Sequence, residues 1–268
     1  MNASLADVLA ARRLRGRAGF VPFIVAGDPS PAATLTLARA LADAGADILE
    51  VGVPFSDPVA DGPVIQAAGQ RALEKGMTLA RACGLVQKMR GEGVKTPVIL
   101  FTYLNPILRM GRSAFARLCA DCGAAAALVV DLPAEESGPL SRALLERGVE
   151  LVLLASPTTV DERLSEIGRA SGSVVYYVSR EGVTGARAGL APGLSQRLQH
   201  VRARTGKPLL VGFGVAEPGQ AKALAPYADG VVVGSALVAA AAQAGAAGAP
   251  AAVSALARRL VKSLEVAC

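Results

Sequence analysis

The sequence predicts an α/β protein, a (βα)8 TIM barrel of eight parallel strands with an extra N-terminal helix. Three observations predict this fold class. Eight short runs rich in Val, Ile and Leu alternate with helical segments, at about 30 residues per unit. Most of these runs are apolar on both faces, which is typical of parallel sheets covered by helices. The chain of 268 residues has the usual length of such a barrel and shows no linker, so residues 1–268 form one predicted domain.

The N-terminal elements have clear boundary signals. Ser4 and Asp7 are spaced as a capping box, and apolar residues at helical spacing follow them, so we expect a short helix that covers one end of the barrel. A first strand begins at Gly19 and ends at the turn Gly27-Asp28-Pro29. Ser30 then caps a helix that has Pro31 in its first position.

The same alternation continues to the C-terminus. Further strands are expected from residues 47, 97, 126, 149, 173, 208 and 229. Helices are expected over 64–73, 79–89, 113–122, 135–147, 161–170 and 194–204, near 220, and in a short segment from 235.

Charge and hydropathy argue against binding to nucleic acid and against a membrane span. The net charge is +6, but the basic residues are scattered over predicted helix surfaces and aromatic residues make up only 4%, so the charge favours anionic substrates over nucleic acid. The uncharged run 230–257 contains Gln243, Gly245, Gly248 and Pro250, which argue against a membrane span. Arginines follow the first apolar run, the reverse of a secretion signal, so we expect a cytoplasmic protein.

The most informative stretch is 47–66, DILEVGVPFSDPVADGPVIQ. In a strand, alternate residues share a face, so Glu50 projects with Ile48 and Gly52 from an otherwise apolar segment. An unpaired carboxylate there would cost several kcal/mol or would take up a proton instead. Asp57 and Asp61 lie in the following loop, at the strand end where barrel enzymes carry their chemistry.

Glycines mark a predicted phosphate site at the same end of the barrel. Gly212, Phe213 and Gly214 end the seventh strand, and Gly234 and Ser235 end the eighth and begin a helix. Free backbone N–H groups at such a helix start suit a phosphate dianion. Three further glycines, at 182, 185 and 189, give the loop after the sixth strand the freedom of a lid.

Other residues narrow the chemistry. The chain has one histidine, His200, in a predicted helix, and its four cysteines form no framework, so no metal site is predicted. The lysines do not follow strands, which disfavours a Schiff base. Proton transfer by carboxylates remains, with a desolvated Glu50 that gives and takes a proton and an ionised Asp61 that stabilises positive charge.

At these residues the chain resembles the α subunit family of tryptophan synthase. The resemblance covers the full length and rests on EVGVPFSDPVADGPVIQ, VPFIVAGDP, FTYLNPI, DLPAEE, YYVSREGVTG, VGFGV and GVVVGSA in the family's order and spacing. It implies a (βα)8 barrel and a lyase that cleaves indole-3-glycerol phosphate to indole and glyceraldehyde 3-phosphate without a cofactor of its own.

The resemblance also implies roles for individual residues. Glu50 would be the general acid and base, and Asp61 would interact with the indole N–H. Thr184, in the lid, would hydrogen-bond to Asp61. The indole pocket would be lined by Phe23, Ile65, Phe101, Leu128 and Tyr176. Phosphate would be held by Gly185, Gly214, Gly234 and Ser235, beside Gly212 and Phe213.

A partner protein is implied as well. Family members pair with a β subunit, usually as an α2β2 assembly, and pyridoxal phosphate belongs to that partner. The loop positions expected to contact it are Asp57, Pro58, Asn105 and Pro133.

Two alternatives stay open at this point. The first is another phosphosugar barrel enzyme, an isomerase or epimerase, against which the single histidine and the lack of a metal set argue. The second is a catalytically idle subunit that only activates a β partner. An assay of indole release separates both from the lyase.

Overall fold

A computed structural model describes residues 4–178, 192–212 and 214–265. Its eight strands are all parallel and close into a barrel in the order β1 to β8, with β8 paired to β1. The strands are β1 Gly19–Val25, β2 Leu49–Gly52, β3 Val98–Thr102, β4 Ala126–Val129, β5 Glu150–Ala155, β6 Val175–Val178, β7 Leu209–Gly212 and β8 Gly230–Val233. The predicted fold class is confirmed.

The described helices form the outer layer and one end of the barrel. They are α1 Leu5–Arg13, α2 Pro31–Asp43, α3 Pro63–Glu74, α4 Leu79–Gly91, α5 Leu104–Met110, α6 Arg112–Asp121, α7 Gly138–Leu145, α8 Asp161–Ala170, α9 Leu194–Thr205, α10 Pro218–Leu224 and α11 Ser235–Ser263. A short 3-10 helix, Ala134–Glu136, precedes α7.

Helix α1 closes the N-terminal end of the barrel, as the capping box predicts. Ser4 and Asp7 exchange both capping hydrogen bonds, and the apolar side chains of Leu5 and Leu9 are buried in the barrel interior. The N–H of Leu5 donates to Glu150 at the start of β5, at 3.2 Å. The opposite, C-terminal end of the barrel is therefore the end left for the site.

Strand β2 has two buried faces with different neighbours. Leu49 and Val51 pack in the outer core between the strands and the helices, whereas Ile48, just before the strand, lies in the inner core of the barrel. Because side chains alternate along a strand, Glu50 shares the inward face with Ile48. The alternation read from the sequence is thus confirmed, although β2 is shorter than the predicted 47–53.

Two helical predictions need correction, and one helix was missed. The predicted helix 135–147 is divided, because the 3-10 helix ends before Gly138 begins α7. Helix α5 was not predicted, since it begins directly after β3 and contains Pro106. The short helix from Ser235 continues to Ser263, with a break at Gly245, where φ is 65° and ψ is 172°.

Helix α11 is long and apolar enough, by length and composition alone, to cross a membrane, with a mean hydropathy of 1.5. Its geometry and packing indicate another role. The break at Gly245 divides it, and Leu237, Val238, Val253 and Leu260 pack into the outer core of the barrel. We therefore interpret α11 as part of the helical layer.

Candidate active site

Glu50 is a buried carboxylic acid inside the barrel mouth. Its side chain is 1% exposed, and its Cα pairs in register with Phe23 of β1 and Ile99 of β3. Within the described part of the chain, Oε1 has no hydrogen-bond partner. Burial, followed by the negative charge of Asp61, raises the pKa of Glu50 from 4.5 to about 8. Glu50 is therefore mostly protonated at neutral pH, with one oxygen free to meet a substrate.

Asp61 lies in the loop between β2 and α3, which a compact turn holds in place. Its N–H donates to the carbonyl of Pro58 at 3.0 Å, and its own carbonyl accepts from Nε2 of Gln66 at 2.9 Å. Burial raises the pKa of Asp61 from 3.8 to about 6, and a hydrogen bond from Tyr103 opposes this shift. The sequence placed Asp61 in a polar loop, whereas the structure shows a partly desolvated carboxyl.

The two carboxyl groups differ in protonation at neutral pH. With a pKa near 6, Asp61 is about 90% ionised at pH 7, whereas Glu50 keeps its proton. One acid and one carboxylate at the same site can donate a proton and stabilise the resulting positive charge.

An apolar pocket opens beside Asp61. It is open to solvent and is lined by Phe23, Ile65 and Phe101 among other residues. The rings of Phe23 and Phe101 meet edge to face, with centroids 5.4 Å apart. A Cβ atom on Gly52 would lie 2.4 Å from Cζ of Phe23, so glycine makes room for that ring. These aromatic and apolar walls suit a flat aromatic ligand.

Two predicted pocket residues lie deeper than this opening. Leu128 and Tyr176 belong to the inner core, with exposures of 0% and 7%. A Cβ on Gly212 would lie 2.5 Å from the hydroxyl oxygen of Tyr176, so Gly212 leaves room for the phenol. Burial and the charges of Glu50 and Asp61 raise the pKa of Tyr176, which therefore stays a neutral hydroxyl.

The predicted phosphate residues lie at the ends of two neighbouring strands. Gly212 is the last residue of β7, Gly234 follows β8, and Ser235 begins α11. Gly214 has a φ of +63° and is exposed. The Cβ position of Gly234 is 3.5 Å from Cβ of Phe23, which connects this end to the apolar pocket. Thr184, Gly185 and Phe213, also predicted, lie outside the described residues.

The residues expected to contact a partner lie on three successive loops. Asp57 and Pro58 follow β2, Asn105 is on α5 after β3, and Pro133 precedes the 3-10 helix after β4. Asp57 and Asn105 are exposed, and Pro58 and Pro133 are half-buried. Since β2, β3 and β4 are neighbours in the barrel, these loops lie side by side on its rim.

Sequence reasoning missed Tyr103 and Phe55. Tyr103 follows β3 and is 1% exposed, and its ring stacks on Phe55 with centroids 4.9 Å apart. The hydroxyl of Tyr103 accepts a hydrogen bond from the N–H of Ala60 at 3.2 Å, next to Asp61, and it lowers the pKa of Asp61. The available signal was its place in FTYLNPI, where a tyrosine directly follows a strand at the catalytic end.

Metal-binding side chains do not converge in the described residues, where no group of three or more His, Cys, Asp or Glu could hold an ion. The described cysteines, Cys83, Cys119 and Cys122, are buried thiols. His200 is on the surface, with Nε2 2.6 Å from Oδ1 of Asp161.

The fold and the site define a class: parallel (βα)8 barrels with a candidate acidic site at the C-terminal ends of their strands. Comparison with known sequences and structures identifies the family. A sequence model described as tryptophan synthase alpha chain matches residues 9–265. This chain belongs to the tryptophan synthase alpha chain family, whose members are lyases of tryptophan biosynthesis.

Individual relatives agree with this assignment. The chain is 45% identical over 232 residues to the tryptophan synthase alpha chain of Burkholderia mallei strain NCTC 10229, covering 87% of this chain and 86% of the relative. It is 52% identical over 220 residues to that of Geobacillus kaustophilus strain HTA426, covering 82% and 81%.

Solved structures of tryptophan synthase show that the similarity extends to the fold. The tryptophan synthase subunit alpha of Legionella pneumophila strain Paris superimposes with a TM-score of 0.88 at 37% identity, covering 96% of both chains. A structure of tryptophan synthase from M. tuberculosis gives 0.89 at 33% identity, covering 99% of this chain and 100% of the other.

Proposed function

We propose that this protein cleaves indole-3-glycerol phosphate to indole and glyceraldehyde 3-phosphate, with Glu50 and Asp61 as its catalytic residues. The observation that carries the proposal is the buried carboxyl of Glu50. It is mostly protonated at neutral pH, its Oε1 has no hydrogen-bond partner among the described residues, and it lies close enough to Asp61 to sense its charge. The apolar lining of the pocket beside Asp61 suits an aromatic ring.

The proposed reaction needs only proton transfers. The carboxylic acid of Glu50 donates its proton to C3 of the indole ring, and the ring nitrogen becomes positively charged. The carboxylate of Asp61 stabilises that charge through the indole N–H. Glu50, now ionised, removes the proton from the side-chain hydroxyl next to the breaking bond.

The second step regenerates the enzyme. As the hydroxyl loses its proton, its carbon becomes the aldehyde of glyceraldehyde 3-phosphate, and the carbon–carbon bond to C3 breaks. The electron pair of that bond returns to the ring and neutralises the indole nitrogen. Glu50 ends with the proton that it had at the start, so no oxidant, reductant or cofactor is consumed.

The pocket residues place the substrate across the barrel mouth. The indole ring packs against the wall formed by Phe23, Phe101 and Ile65, and Leu128 and Tyr176 lie deeper in the barrel. The phosphate lies at the ends of β7 and β8, where first-turn N–H groups of α11 and the hydroxyl of Ser235 can bind it. Gly212, Gly214 and Gly234 bring the backbone close to it. Gly185 and Phe213 would complete this site, and Thr184 would hydrogen-bond to Asp61.

The partner in this proposal is a tryptophan synthase β subunit, in an α2β2 assembly within the cytoplasm. Pyridoxal phosphate belongs to that subunit and supplies the chemistry that joins indole to serine. The docking surface is the rim formed by Asp57, Pro58, Asn105 and Pro133. The same loops and α3 expose the apolar side chains Val59, Val64 and Leu108, at 74%, 39% and 47%, which supports an interface there.

A steady-state assay of indole release tests the reaction. The protein alone should release indole slowly from indole-3-glycerol phosphate, and added β subunit should accelerate release by about an order of magnitude or more, because closure of a mobile loop often limits such enzymes. An isomerase would give no indole in either case. An idle subunit would give none and would still stimulate the β subunit.

A substitution at Glu50 tests the assignment of the acid. Glu50→Gln keeps the side-chain size and removes the acidic proton, so turnover should be lost while binding of glycerol 3-phosphate, a phosphate probe, stays within about twofold. Glu146→Gln, the same substitution at an exposed carboxylate at the end of α7, is the matched control for activity. Equal loss of binding and turnover in Glu50→Gln would assign Glu50 a structural role.

A further inference from the structure

Helix α3 forms one side of the apolar pocket and presents a single row of residues to it. Residues three and four apart on a helix share a face, so Ile65, Gly69 and Ala72 form one row along α3. Ile65 and Gly69 both line the pocket, together with Phe23 and Phe101 from the barrel. Gly69 therefore lies one helical turn beyond Ile65 on the same wall.

Ala72 closes this row by packing against the turn after β1. It is fully buried, and its Cβ lies 3.3 Å from the position that a Cβ on Gly27 would take in that turn. The side chain of Met77 reaches the same point, with its Cε 2.8 Å from that position. The pocket side of α3 thus changes from an apolar wall at Ile65 to a tightly packed contact at Ala72, and Gly69 lies between the two.

Gly69 leaves a gap between these two residues. It is buried, yet a Cβ on it would meet no heavy atom of the described residues within 4 Å, apart from its chain neighbours and the backbone of α3 itself. Carbon atoms in van der Waals contact are about 3.5–4.0 Å apart. A methyl-sized group therefore fits beside Gly69 without displacing any other described residue.

Neither helix stability nor packing explains a glycine at position 69. Its backbone is helical, and alanine is more stable than glycine in the interior of a helix. Gly52 shows the contrast, because a Cβ there would lie 2.4 Å from Cζ of Phe23, so packing requires glycine at that position. Protein interiors are close-packed, so a methyl-sized gap in the wall of a pocket points to a ligand that fills it.

We propose that Gly69 is a specificity-determining residue of this lyase, because the gap that it leaves holds one methyl-sized substituent on the benzene ring of the substrate's indole. The inference rests on the proposed function, in which the indole ring packs against Ile65, Phe23 and Phe101. Residues four apart on a helix have Cβ positions only about 5–6 Å apart, so a ring that packs against Ile65 brings one of its edges to Gly69.

Substrate derivatives test the gap directly. Indole-3-glycerol phosphate is compared with derivatives that carry one methyl group at each open carbon of the benzene ring in turn. Wild-type protein should keep kcat/KM for at least one derivative within about threefold of the parent value. In Gly69→Ala, kcat/KM for that derivative should fall by about 10-fold relative to the parent, and in Gly69→Val by more, since one methyl group in an apolar pocket changes kcat/KM by about 10-fold to 200-fold.

Gly84→Ala is the matched control. Gly84 lies in the interior of α4, where a Cβ would also meet no heavy atom of the described residues within 4 Å, and it is not among the residues that line the pocket. Both alanine variants should raise Tm by about 1–4 °C, because alanine stabilises a helix interior more than glycine does. Only Gly69→Ala should change the ratio of kcat/KM between derivative and parent.

Binding of the rings alone gives a readout that does not depend on cleavage. Calorimetric titration with indole and the corresponding methylindoles should show the same loss of about 10-fold in Gly69→Ala, relative to indole, for the methylindole that fits the gap. If that selective loss is found but wild-type protein releases no indole, the proposed function fails while the site stands. Equal effects on all rings in Gly69→Ala and Gly69→Val, or a wild-type protein that accepts no methyl derivative in either assay, would overturn the inference.

Discussion

Glu50→Gln should stabilise the fold, and the gain should grow with pH. Glu50 is 1% exposed, and folding raises its pKa from 4.5 to about 8. A carboxyl with a raised pKa binds its proton more tightly in the folded state than in the unfolded state. The free energy of unfolding therefore falls as pH rises from about 4.5 to about 8, whereas the neutral amide of glutamine has no such dependence.

The size of the effect follows from the interval between the two pKa values. Each pH unit within that interval lowers the free energy of unfolding by about 1.4 kcal/mol, so at pH 7 the carboxyl of Glu50 destabilises the fold by about 3 kcal/mol. Allowing for its coupling with Asp61, we expect Glu50→Gln to gain about 2–3 kcal/mol more at pH 8 than at pH 5. For a chain of this size, that difference raises Tm by about 4–10 °C.

Urea unfolding at pH 5 and pH 8, followed by circular dichroism, measures the gain. Glu146→Gln removes an exposed carboxylate at the end of α7, and it should change the free energy of unfolding by less than about 0.5 kcal/mol at both pH values. A gain for Glu50→Gln that is the same at both pH values would show that Glu50 is not desolvated, and the proposed acid would lose its physical basis.

Three further predictions concern activity and packing. The kcat/KM for indole release should be highest between about pH 6 and pH 8, because Asp61 must be ionised and Glu50 protonated; a flat profile from pH 5 to 9 would contradict the assigned pair. Gly52→Ala should displace the ring of Phe23, lowering the free energy of unfolding by about 1–3 kcal/mol and reducing kcat/KM, and unchanged values in both assays would argue against a tight pocket. Arg71→Met should cost about 2–3 kcal/mol in urea unfolding, because it removes the two hydrogen bonds, 2.7 and 2.9 Å long, that pair the buried Asp28; a cost below about 0.5 kcal/mol would show that water replaces them.

Most of the fold could be predicted because its signals are local. Apolar runs mark each strand, and Ser4 and Ser30 act as the helix caps that their spacing indicates. Helix α5 escaped prediction because it has only seven residues and Pro106 lies within it. The predicted helix 135–147 is divided where α7 begins at Gly138 and Pro139, since proline fits the first turn of a helix.

The sequence could indicate a candidate site where one residue conflicts with its surroundings. Glu50 could be found because a carboxylate inside a two-sided apolar strand has no structural explanation. Tyr103 could not be found in this way, since a tyrosine fits a barrel wall equally well. Tyr103 matters because its hydroxyl lies near Asp61 and lowers the pKa of that residue. Asp61 is 42 residues earlier in the chain, and sequence spacing does not reveal that they meet. The same holds for Gly52, whose need for a small side chain comes from Phe23 on the neighbouring strand.

The cyclic order of the strands separates two groups of loops at the barrel mouth. Strands β7 and β8 lie opposite β3 and β4 in a ring of eight, so the predicted phosphate residues and the loops proposed to contact a partner are on different sides of the barrel mouth. In the proposed reaction, the phosphorylated product therefore leaves from a side of the rim that a partner at β2 to β4 does not cover.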